Sequence, residues 1–119
     1  MTPGLLDQPL RGGLYRVRPE PGLEQALAEA GWSVAPLRSK EPRGFLAEVG
    51  PALGFPAYYG ANLDALADCL SELEQPTAVV WRGWGDAALG DPPTWSRLLL
   101  VLRQASAGPV PFALVLAEA

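Results

Sequence analysis

The sequence predicts an α/β fold: a mainly parallel sheet of three to four strands, packed with helices in one layered domain. Two observations predict it. Short apolar runs rich in β-branched residues alternate with longer stretches of helical period. Gly and Pro, thirteen of each, fall between these stretches and gather into no low-complexity tract. Strands that alternate with helices must be joined by crossovers, which pair them in parallel with right-handed connections.

Each element has a local reason. Leu14–Arg18 alternates in character and reads as a short strand. Gly22–Ala30 reads as a helix, with Leu23, Ala26, Leu27 and Ala30 on one face and Gly31 as its stop. Trp32–Leu37 is a strand, and Pro42–Leu53 a helix that opens on Pro, where the missing N–H costs nothing. Gly50 and Pro51 are positions where that helix can bend or split. A helix capped by Asn62 follows, then the strand Thr77–Arg82. Residues Gly83–Pro93 read as a loop with room for a helical turn. Asp91 caps a long helix that ends near Ala107 at Gly108 and Pro109, and Val110–Leu116 is the last strand. Residues 1–12 read as a flexible tail, residues 13–119 as a single domain.

Composition excludes several function classes. A chain of 119 residues forms one domain, and 49% hydrophobic residues with 18% charged describe a soluble globular protein. A net charge of −4 argues against nucleic-acid binding, which needs cations to meet phosphate. No apolar run is long enough to span a membrane, and the first residues lack the basic and apolar regions of a signal peptide. A single cysteine, Cys69, forms no internal disulfide and fits a reducing cytoplasm.

The most informative stretch is residues 55–73, FPAYYGANLDALADCLSEL. It lies in a span from Gly44 to Trp81 with no Lys or Arg but five carboxylates: Glu48, Asp64, Asp68, Glu72 and Glu74. Such a field suits docking onto a basic surface. Asn62 is a good N-cap, and Asp64 falls in the first turn, where the helix dipole favours a negative charge. Leu63, Leu66, Cys69, Leu70 and Leu73 gather on one face. Asp64, Asp68 and Glu72 fall on the opposite face at i,i+4 steps, a spacing at which like charges repel. Ahead of the helix, Tyr58 and Tyr59 follow Pro56 and precede Gly60, which can take positive φ and turn the chain into the helix. Two adjacent tyrosines do not both fit a core, so one is expected to offer its ring beside the carboxylates, as in protein-binding patches.

This stretch closely resembles the loop and helix of the barstar family, intracellular inhibitors of secreted bacterial ribonucleases. YYG, NLDAL and DCL match in order and spacing with no gap, and Ala78–Arg82 (AVVWR) resembles the family's following strand. The resemblance covers residues 32–116, with residues 13–31 as an N-terminal βα extension. It implies a barstar-like fold and an inhibitor that occludes a ribonuclease active site. It further implies that Asp68 stands in for a substrate phosphate, that Asp64 pairs with neighbouring cations, and that Tyr58 packs on the catalytic His of the target. Tyr59, Gly60 and Asn62 lie in the implied binding loop, with Glu72 on the same acidic face. Three positions depart from the family: Ala67 and Leu73 stand where it has Trp, and Gln104 where it has a Glu that pairs across the interface. The implied partner is therefore a basic bacterial ribonuclease, barnase-like or, given these departures, another of guanyl type. The alternative is a basic partner that is not a ribonuclease, served by a barstar-fold binding module.

Other chemistry fits poorly. Asp64, Asp68 and Glu72 share one convex face, whereas glycosidase carboxylates oppose each other across a cleft. The chain has no His to act as the usual general base, so no enzymatic activity is expected. One Cys and no His exclude a zinc site, one helix face converges too few ligands for a hard cation, and no cofactor is expected. Cys69 is expected to be buried as a small hydrophobe. Trp32, Trp81 and Trp95 are expected in the core, and Trp84 nearest the surface.

Overall fold

The computed structural model describes residues 10–18 and 20–118. Nine elements follow one another: β1 (Gly13–Arg16), α1 (Leu23–Glu29), β2 (Ser33–Leu37), α2 (Pro42–Leu53), α3 (Leu63–Ser71), β3 (Thr77–Trp81), α4 (Trp84–Gly90), α5 (Pro92–Ser106) and β4 (Phe112–Leu116). The four strands form one sheet in the order β1-β4-β3-β2, and every pairing is parallel. Thr77, the first residue of β3, lies opposite Ser33 on one side and Phe112 on the other.

Every residue of β3 and β4 is buried, because these central strands are covered on both faces. Val79, Trp81, Phe112 and Leu114 face one way and meet Phe45 and Val49 of α2, Leu66 and Leu70 of α3, and Leu98 and Leu102 of α5. Ala78, Val80, Ala113 and Val115 face the other way and meet Leu23 and Leu27 of α1 together with Trp32. The described residues thus form three layers: one helix, a sheet, and four helices. The connection through α1 reaches from β1 at one edge to β2 at the other, which is how α1 comes to cover the second face.

Several local expectations need correction. The segment expected as a loop, Gly83–Pro93, contains the full helix α4. Gly83 turns into it with φ 95°, and a Cβ there would lie 3.1 Å from the backbone oxygens of Arg38 and Ser39. Helix α2 runs unsplit through Gly50 and Pro51 and ends on the left-handed Gly54. Trp84 is half-buried: its ring stacks on Trp95 at 6.1 Å, and the Arg16 guanidinium lies 4.9 Å from its centroid. Trp81 is fully buried and donates its Nε1–H to the Ser39 carbonyl at 2.7 Å. Most of the expected tail, residues 1–9, lies outside the described residues, but Leu10 packs against the α1 side of the core.

Candidate protein-binding site

The loop from Gly54 to Asn62 is held from below. Phe55 N–H donates to the Gly50 carbonyl at 2.9 Å, and Tyr59 N–H donates to the Pro56 carbonyl at 2.9 Å, closing a turn. The Tyr59 ring meets Phe55 edge-on, with centroids 5.0 Å apart, and its hydroxyl donates to the Leu46 carbonyl at 2.7 Å. It lies over Gly50, where a Cβ would come within 2.7 Å of the ring. Burial first, and then neighbouring Cys69, push the Tyr59 phenol up to about 12. With Tyr59 turned inward as the anchor, Tyr58 is 84% exposed. The left-handed residue at the turn is Ala61 (φ 51°), not Gly60 as expected. Gly60 is small for another reason: a Cβ there would lie 2.9 Å from the Asn62 side-chain nitrogen.

Asn62 Oδ1 accepts from the Ala65 N–H at 2.8 Å, so α3 starts as the sequence predicts. Asp64, Ala67 and Asp68 are exposed along the helix, and Glu72 is exposed at its C-cap. Among the described residues, none of the three carboxylates forms an ion pair. The anionic face is smaller than the sequence implies, because Glu48 turns away. Its carboxylate accepts from the Arg38 and Ser39 N–H groups at 3.0 Å each and holds the turn between β2 and α2. The fold also returns one cation: Arg43 lines a shallow open cleft with Asn62 and Asp64.

A profile of one protein family, described as Barstar (barnase inhibitor), matches residues 37–117, more than half of the chain. The chain belongs to the barstar family. Among curated proteins, none matches it. The span shared with the barstar family holds every candidate site residue and leaves out β1, α1 and nearly all of β2. No helix among the described residues is long and apolar enough to cross a membrane.

Two features of this barstar-family site were hidden in the sequence. Gln104 on α5 and Ala67 on α3 line one cleft, with Leu70, Leu73 and Val101 beneath. Leu100, one turn before Gln104, is 56% exposed, although the run Leu98–Leu102 reads as uniformly apolar. Cys69 also departs from expectation. It is half-buried on the border of the helix face and lines a cleft with Glu72, Phe55 and Thr77. One residue turns the helix by about 100°, so position 69 lies between the face of Asp68 and that of Leu70. Burial, then Glu72 and Asp68, push its thiol up, away from the reactive thiolate.

Proposed function

We propose that this chain is an intracellular inhibitor of a basic ribonuclease, itself no enzyme, that plugs the target's active site with α3 and the Tyr58 loop. The observation that carries this reading is an exposed Asp68 in the barstar-family span, which forms no ion pair among the described residues and lies between Asp64 and Glu72 on the helix that follows the exposed Tyr58. A carboxylate so presented can accept bidentate hydrogen bonds from an Arg that otherwise holds a phosphate. Asp64 extends the anionic surface toward the loop, and Tyr58 offers a ring for stacking. The protein needs no cofactor for this, and its partner is a protein, not a nucleic acid.

Inhibition titrations against a panel of basic bacterial ribonucleases test the reading. Asp68→Ala should weaken inhibition by about 2–5 kcal/mol, because the target's cations are left buried and unpaired. Free Asp68→Ala should melt at or above wild type, since like-charge repulsion on α3 is relieved. Glu72→Ala, one turn on at the helix end, should cost far less. A panel with no ribonuclease inhibited would favour the second reading, a basic partner of another kind, for which the departures at Ala67 and Gln104 leave room.

A further inference from the structure

The candidate face continues into an apolar cleft. Between the C-terminal halves of α3 and α5 lies a cavity of about 260 Å³. Leu70, Leu73, Val101 and Val110 floor it, and the exposed Ala67 and Gln104 stand at its mouth. No charged side chain lines it among the described residues. The volume falls below the ~300–1,000 Å³ of small-molecule sites and suits one large side chain. Ala67 and Ser71, four residues apart on one stripe of α3, both line the cleft, and the exposed Asp68 follows Ala67 about 100° around the helix. An apolar hole and an exposed carboxylate therefore share one helical turn.

We propose that this cleft is a specificity pocket, which receives one apolar side chain of the same basic partner whose cations meet Asp68. The proposal rests on the inhibitor reading above and adds what the partner must carry: an aliphatic or aromatic side chain next to an Arg or Lys. Charge selects this occupant. A second copy of the chain would bring its own acidic face and a net charge of −4 against Asp68, and like charges juxtaposed at an interface are penalised. The pocket also strengthens the neighbouring ion pair. A side chain that fills it excludes water beside Asp68, and a charge pair gains as the local dielectric falls. Ala67 keeps the mouth open, since its methyl is the smallest side chain that still favours helix.

A small probe tests this without knowledge of the partner. A phenyl ring tethered to a guanidinium carries both required groups. Titrated into isotope-labelled full-length protein, it should shift the methyl resonances of Ala67, Val101 and Val110. Ala67→Leu, which fills the mouth, and Asp68→Ala, which removes the anion, should each weaken binding about tenfold or more. Both positions are exposed on α3, so both variants should keep the wild-type spectrum elsewhere. Groove methyls that do not move, or Ala67→Leu binding like wild type, would overturn the pocket. Shifts of the same methyls with protein concentration alone would place a second copy there and overturn it too. A ribonuclease inhibited equally by wild type and Ala67→Leu would remove the pocket and leave the inhibitor reading standing. A probe that binds the groove while no ribonuclease is inhibited would do the reverse.

Discussion

Gly50 has no side chain, and the Tyr59 ring occupies the space that one would fill. The two residues come from different elements, so the sequence alone left open which of the adjacent tyrosines goes inward. Packing decides it: Gly50 offers the hole, Phe55 an edge-on ring and Leu46 a carbonyl, all to Tyr59. Tyr58 is left at the surface. The buried phenol gives a pH signature. An unfolded tyrosine ionises near 10, and in the fold Tyr59 is pushed up to about 12, so the fold favours the neutral form. That contribution is complete below pH ~10 and is lost as pH rises from ~10 through ~12. Urea unfolding should therefore show wild type losing more stability over this window than Tyr59→Phe. The variant should start lower at neutral pH by about 0.5–1.5 kcal/mol for the lost hydrogen bond. Equal alkaline slopes in the two proteins would contradict the inward placement.

Helix α3 shows what an element's own sequence can specify. Its cap, its first-turn acid and the buried stripe of Leu66 and Leu70 are all local, and all fall where the periodicity puts them. Asn62→Ala should cost about 1 kcal/mol of stability by leaving the Ala65 N–H without its acceptor, seen as a lower denaturant midpoint at unchanged m. At the other end, Glu72 sits at the C-cap with no basic residue in the last turn, against the helix dipole. Helix α4 is the opposite case. Gly83, Gly85 and Gly90 disfavour helix locally, so the segment reads as a loop. It folds because Ala87 is buried against the core and Trp84 stacks on Trp95, contacts that no local window contains. The same limit applies to Glu48. Its pairing with the turn at Arg38 and Ser39 depends on how α2 lies against β2.

The whole molecule depends on the unit that the family profile leaves out. Helix α1 covers the sheet face made by Ala78, Val80, Ala113 and Val115, and Arg82 at the end of β3 ties to it through Glu24 at 2.6 Å. Leu27 is fully buried there. Leu27→Ala should cost about 2–5 kcal/mol, as a central core leucine would, and a chemical denaturation curve measures it. A cost near zero would make the N-terminal unit an appendage. The net charge acts at the same scale. A chain at −4 with exposed Asp64, Asp68 and Glu72 along α3 and its C-cap should associate with a basic partner faster at low salt. Above about 0.1 M salt the Debye length falls below ~10 Å, so the association rate should drop while dissociation changes little. Stopped-flow association across a salt series is the check, and a flat rate would exclude steering.

By itself, the sequence determined the α/β class, the parallel pairing, the α3 cap and the family, because each is written in short-range period, capping chemistry or a contiguous motif. Only the tertiary structure decided which tyrosine is exposed, that Glu48 binds the turn at Arg38 and Ser39, that Arg43 lines one cleft with Asp64, and that Ala67 and Gln104 share another. The physical reason is common to all four. Local hydrogen bonds and periodicity act within a few residues, whereas burial and charge proximity depend on side chains that are distant in the chain and meet only once the helices have packed on the sheet.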